Sequence, residues 1–145
     1  MDRTTPSLRL EIGRVTALLG PRPARRAVLA ALDGGSARCG QQAGGVRRVT
    51  CGSTDPAGAR IAAVRALADD RLGGVVLVDH LTDGLAAAER RTVLAELRVL
   101  AGSGTAVLVD DEDPVAALAA ADGALRVGSD GALVVTDSRD ALARL

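Results

Sequence analysis

Residues 73–114 read GGVVLVDHLTDGLAAAERRTVLAELRVLAGSGTAVLVDDEDP, and this stretch decides the fold. Val75 to Val78 and Thr105 to Val109 are unbroken apolar runs, the pattern of strands covered on both faces. Between them, Leu85 to Leu100 places Leu85, Ala88, Val93, Leu94, Leu97 and Leu100 at the spacing of one helix face. A buried strand, a helix and a second buried strand predict a parallel sheet covered on both faces. Each strand runs into acid: Asp79 after the first, then Asp110, Asp111, Glu112 and Asp113 after the second.

The flanks extend the same alternation. Upstream, Leu8 to Ile12 alternates polar and apolar residues and predicts a short edge strand, and Val15 to Leu19 predicts a central one. Gly20-Pro21-Arg22-Pro23 breaks the chain. Ala24 to Leu32 then predicts a helix facing the core through Ala24, Ala27, Val28, Ala31 and Leu32, stopped by Asp33-Gly34-Gly35. Ser36 to Gly45 is small, polar and glycine-rich and predicts a loop. Val46 to Cys51 predicts a strand at an edge. Thr54 or Asp55 is the expected cap, and Pro56 the first-turn residue, of a helix reaching Ala68 and burying Ile61, Val64, Ala66 and Leu67.

Downstream, Asp113-Pro114 begins a helix to Ala121. Ala124 to Val127 and Ala132 to Val135 flank Gly128-Ser129-Asp130-Gly131, a hairpin signal. Ser138 to Leu145 predicts a last short helix. The expected fold is α/β: one domain over residues 1–145, a mainly parallel sheet with helices on both faces and a C-terminal β-hairpin.

Composition excludes several functions. The chain has 145 residues, 18 basic and 18 acidic, with zero formal net charge. No Phe, Trp or Tyr occurs, so no aromatic ring is present to stack a nucleobase, and no net positive field draws in a polyanion. A nucleic-acid partner is not expected. Every basic residue is Arg and Ala fills much of the core, a pattern that points to a GC-rich bacterial genome. No apolar run approaches the ~20 residues of a membrane span, and none resembles a signal peptide, so direct membrane insertion is not expected and a cytoplasmic location is. Cys39 and Cys51 are then reduced, inert thiols. One His and no C-x-x-C spacing argue against a structural zinc site. On the long helix, Glu89, Arg90, Arg91, Glu96 and Arg98 read as a solvated face with pairing along the helix.

VTALLGPRPARRAVLAAL resembles the Walker A strand, loop and helix of ATP-binding cassette (ABC) ATPases, a branch of the P-loop NTPases. The central stretch resembles that family's Walker B strand, D-loop, following helix and H-loop strand. ARIAAVRALADD resembles the helix after the signature motif, and ADGALRVGSDGALVV the closing hairpin. Order and spacing agree over most of the chain. The stretch between the first helix and the signature position is too short for the family's helical subdomain and glutamine loop.

The family's chemical positions are altered. A phosphate cradle wraps an anion in backbone N–H groups at a helix N-terminus and adds a lysine and an Mg²⁺-binding hydroxyl. Here Gly20 is kept, but Arg25, Arg26 and Ala27 stand at the second glycine, the lysine and the hydroxyl, and Pro23 removes an N–H donor. Asp79 keeps the Walker B aspartate, while His80 replaces the catalytic glutamate and Glu112 the switch histidine. Ser53 to Ala57 occupies the signature position without its glycines.

The resemblance therefore implies a protein that is not an enzyme, without a cofactor, acting as a binding, scaffold or regulatory subunit. Its partner is itself, or a complete ABC ATPase or transporter component. Within that reading, Arg26 pairs with Asp79 or Glu112 and fills the phosphate site from inside. The alternative is a residual nucleotide or phosphate site at Gly20, Arg25, Arg26, Ala27 and Asp79, taking ATP and Mg²⁺. A third reading is a metal or acid–base cluster of His80 with Asp79, Asp83, Asp110, Asp111 and Glu112.

Overall fold

The computed structural model describes residues 10–33, 37–39, 42–70, 74–137, 141 and 143. The main sheet holds β1 (Val15–Leu19), β4 (Val46–Val49), β5 (Val75–Asp79), β6 (Ala106–Asp110), β7 (Gly123–Val127) and β8 (Leu133–Asp137) in the order β4-β5-β6-β1-β7-β8. All neighbours are parallel except β7 and β8, which form the predicted hairpin. The helices are α1 (Arg22–Asp33), α2 (Ala57–Asp70), α3 (Ala87–Gly102) and α4 (Pro114–Ala120).

Helices cover both faces. Val64 and Ala68 of α2, Val93, Leu94, Leu97 and Leu100 of α3, and Ala117 and Leu118 of α4 pack on Val76, Val78, Val107 and Val109. On the other face, Leu29 of α1 packs with Leu18, Leu77, Leu108 and Leu125. Every residue of β5 and β6 is buried, as the unbroken apolar runs require. The crossover β5–α3–β6 sets Asp79 directly beside Asp110 in register, so the two carboxylates meet at the C-terminal edge of the sheet.

Several expectations are corrected. Of the predicted strand Leu8 to Ile12, the described part carries no strand, and Ile12 and Gly13 form a turn; Leu8 and Arg9 lie outside the described residues. Helix α1 begins two residues early, with Pro23 in its first turn, where a missing N–H costs nothing. Its buried residue is Leu29, while Ala27 and Ala31 are exposed. The loop predicted over Ser36 to Gly45 contains a small antiparallel ladder, β2 (Ala37–Cys39) against β3 (Gln42–Gly44). In α2 neither Thr54 nor Asp55 caps the helix; the Asp55 carboxylate accepts from the Gly52 N–H at 2.9 Å, and Pro56 lends its carbonyl to the first turn. The buried stripe of α2 is Arg60, Val64 and Ala68, at intervals of one turn, and Ala66 is exposed. Ala88 is likewise exposed, and α3 begins after Leu85. Of the C-terminal helix only Ala141 and Ala143 are described, both helical, and the stop at Gly34-Gly35 lies outside the described residues.

Charges on α3 pair across elements rather than along the helix. Arg90 reaches Glu112 at 2.7 Å and Asp113 at 3.1 Å, Glu96 takes Arg65 of α2 at 2.8 Å, and Arg98 takes Asp122 at 3.2 Å.

Asp113 caps α4 as expected, accepting from the Ala116 N–H at 3.1 Å. That backbone bond, helped by Arg90 against a smaller effect of burial, holds the carboxyl below its ordinary value. A folded-state pKa below the unfolded one stabilises above the unfolded value and is lost as pH falls through the folded one. Asp113→Ala should therefore cost about 1 kcal/mol near neutral pH. The gap to wild type should narrow below about pH 4. Urea unfolding at several pH values measures it, and a gap independent of pH would refute the charge assignment.

Candidate functional site

The C-terminal edge of a parallel sheet is where this class of fold places ligands. Here β5 delivers Asp79 and β6 delivers Asp110, both buried, and elements from the N-terminal part of the chain deliver three arginines. Arg26 of α1 donates to Asp79 Oδ1 at 2.5 Å and lies 3.6 Å from Asp110 Oδ2. Arg48 of β4 pairs with Asp79 Oδ2, and Arg25 of α1 pairs with Asp110 Oδ1. Arg25 also donates through Nε to the Gly20 carbonyl at 3.0 Å, which folds it back over the β1–α1 turn.

These contacts set the charge states. Burial alone would raise Asp79, but the hydrogen bonds and charges of Arg26 and Arg48 outweigh it and hold the carboxyl below its ordinary value. The hydrogen bond to Asp79 in turn raises Arg26. The site is a cluster of two carboxylates and three guanidiniums already committed to one another.

Of the two partners the sequence offered Arg26, the structure chooses Asp79, since Glu112 turns away to Arg90. The acids after β6 diverge in the same manner. Asp110 stays in the cluster. Asp111 accepts from Thr82 Oγ1 at 2.6 Å and from the Asp113 N–H at 3.0 Å, tying the loop after β6 to the loop after β5. His80 has φ 53, its N–H donates to the Asp110 carbonyl at 2.8 Å, and its Nδ1 lies 3.1 Å from both oxygens of Asp83. The acids foreseen around His80 thus reduce to Asp79, Asp83 and Asp110, and of these Asp79 and Asp110, with His80, bring ligand atoms close enough together for one metal ion.

Gly20 has φ 127, and a Cβ there would lie 2.1 Å from the Val127 carbonyl oxygen. Glycine is required by the close approach of β7. Ala27 is exposed on α1 and offers no oxygen. A cleft of about 310 Å³ beside the turn is lined by Gly20, Pro21, Arg25, Asp111, Glu112 and Arg126, a mixture of both charge signs.

Two residues were missed by sequence reasoning. Arg48 sits in a short edge strand whose neighbour β5 carries Asp79, a signal available once the strand order is known. Arg60 is wholly buried and donates to four carbonyls: Asp55 at 2.9 Å, Leu81 at 3.0 Å, Asp83 at 2.6 Å and Ser53 at 3.2 Å. It joins the loop before α2 to the loop that carries His80. Cys51 is partly buried and unpaired, with burial pushing its thiol up, against a reactive role.

No family model matches this sequence, and no curated protein matches it. Solved structures do match in shape. A nucleotide-free ATP-binding cassette from an ABC transporter aligns at a TM-score of 0.59 and 9% identity, over 94% of this chain and 86% of that chain. A subunit of the cbiONQ ABC transporter complex of Clostridium perfringens aligns at 0.58 and 11%, over 91% and 80%. An inward-facing putative metal-chelate type ABC transporter aligns at 0.55 and 16%, over 89% and 74%. Among the described residues, only a two-stranded ladder and one strand lie between α1 and α2, and no helix is long and apolar enough to cross a membrane. The chain has the fold of the ATP-binding subunits of ABC transporters.

Proposed function

We propose that this protein is a catalytically inactive, cytoplasmic relative of the ABC ATPases that works as a binding, scaffold or regulatory subunit. One observation carries the reading. At the turn where the resemblance places the phosphates, Arg25, Arg26 and Arg48 are bound to Asp79 and Asp110. A triphosphate would have to break these pairs and would meet two buried carboxylates, while Ala27 offers no hydroxyl for Mg²⁺. His80 faces Asp83 and Asp110 instead of presenting a carboxylate to an attacking water.

The partner in this reading is a second copy of the chain or a complete ABC ATPase or transporter component. The solved neighbours described as parts of transporters support that class of partner. Isothermal titration of the chain with ATP and Mg²⁺, alongside a phosphate-release assay, tests the inactive state. No heat beyond dilution and no release above the buffer control are expected; binding at micromolar concentration, or turnover, overturns the proposal. If ATP or inorganic phosphate raises the melting temperature and Arg26→Ala removes the rise, the residual anion site at Gly20, Arg25, Arg26, Ala27 and Asp79 is the better reading.

A further inference from the structure

Strand β8 ends the sheet on one side, and its outer side is open. The Gly128 N–H donates to the Ala132 carbonyl at 2.8 Å, and the register runs without a bulge from Val127↔Leu133 to Gly123↔Asp137. Successive residues of an antiparallel ladder bond in alternate directions, so Val134 and Thr136 bond to β7 while Leu133 and Val135 direct their N–H and C=O groups outward. Among the described residues those outward groups have no partner.

The side chains add to the exposure. Val134 is 58% and Val135 77% exposed, the two highest values among the large hydrophobic residues described. Proteins blunt such an edge with charge, proline or a bulge. The opposite edge, β4, carries Arg47 and Arg48, whereas Leu133-Val134-Val135-Thr136 has none of these devices.

A second copy satisfies the outward groups completely. Laid antiparallel with a two-fold axis at Val134, it sets each Leu133 opposite the other copy's Val135. Those are hydrogen-bonded pairs, so four N–H···O=C bonds form and no outward group of Leu133 or Val135 is left over. Val134 meets its own counterpart as a non-hydrogen-bonded pair, where side chains lie closest. Asp137 falls opposite Gly131, so its carboxylate does not face its counterpart across the axis. The symmetry also closes the assembly. Pairing β8 with β4 of a next copy would run on into a filament, whereas two β8 strands about one axis use up both apolar edges.

We infer that two copies of this chain join through β8, antiparallel and centred on Val134, and fuse their six-stranded sheets into one. The inference deepens the second-copy form of the proposed function. It can fail separately from the inactive site, because β8 stands three strands away from β6 and Asp110.

Sedimentation velocity of the whole chain over a concentration series tests it. The wild type should pass from the 14.6 kDa of one chain to twice that mass through the micromolar range. Val134→Lys sets two ammonium groups against each other at the axis and should raise the dimer Kd by at least about tenfold, with the circular dichroism spectrum unchanged. Val99→Lys, the same change at a comparably exposed valine of α3, should leave the Kd as it is. Under oxidation, Val134→Cys should give a covalent dimer that neither the wild type nor Val135→Cys gives, since residue 134 alone faces itself. A wild type that stays monomeric to about 200 µM overturns the inference, as does a mass that climbs past the dimer. So does a dimer that Val134→Lys leaves intact or Val99→Lys breaks equally, or cross-linking of Val135→Cys in place of Val134→Cys. A monomer would leave the ATP titration result standing, and ATP binding would leave the dimer standing.

Discussion

Replacing Arg60 by alanine is expected to lower the midpoint of thermal unfolding by on the order of 10 °C. The guanidinium is fully buried, and its partners are four backbone carbonyls with no carboxylate among them. Arginine suits the place because its fork presents several N–H donors in fixed directions without a base that could remove its charge. Truncation leaves those carbonyls facing a cavity in the core between α2 and the loop after β5. Each buried acceptor left without its donor costs about 1–3 kcal/mol, so several orphaned carbonyls together with the cavity should cost about 3–5 kcal/mol. For a chain of this size each kcal/mol lowers the midpoint by roughly 3 °C. Arg60→Lys should recover less than half of the loss, since one ammonium reaches fewer of the four oxygens. Circular dichroism melts of the three proteins measure this, and an alanine variant within about 2 °C of wild type would show that the carbonyls find water instead.

Gly20→Ala should be nearly as damaging for a steric reason. The new Cβ would sit 2.1 Å from the Val127 carbonyl oxygen on a backbone with φ 127. Both atoms belong to paired strands or their immediate ends, so neither can retreat without opening the end of the β1–β7 ladder. A loss of about 3 kcal/mol or more is expected. Gly104→Ala is the control: φ there is 100, but nothing lies within 4 Å of the added carbon. Its cost should be confined to backbone strain, about 1–2 kcal/mol. Equal losses in the two variants, measured by denaturant unfolding, would mean that strain alone fixes glycine at position 20.

The sheet was legible where the sequence was monotonous. VVLVD and AVLVD are short apolar runs closed by acid, and burial of every side chain in β5 and β6 follows from that pattern. The Asp113-Pro114 start of α4 and the glycine-rich turn of the hairpin were equally plain, because capping and turn chemistry are local. The β2–β3 ladder was not, since strands of three residues within a small, polar, glycine-rich stretch are too short for a periodicity to register. Arg60 defeated the periodicity of α2: scored as polar it belongs on the wet face, and burial among carbonyls reverses the assignment. At the site, the meeting of Asp79 and Asp110 was implied by the resemblance, in which the two strands are neighbours, but the partners of Arg25, Arg48, Asp111 and Arg90 depend on tertiary geometry that spacing does not encode.

The register that sets Asp79 beside Asp110 has a consequence for how the chain folds. When β5 and β6 first pair, two carboxylates are brought together at the strand ends, and that pairing works against itself. The neutralising charges come from Arg25 and Arg26 on α1 and Arg48 on β4, between 31 and 85 residues away along the chain. The local strand–helix–strand unit is therefore stabilised further only when those arginines arrive. Completion of the sheet's centre is tied to the arrival of pieces distant in sequence, which raises contact order and makes the unfolding transition more nearly all-or-none.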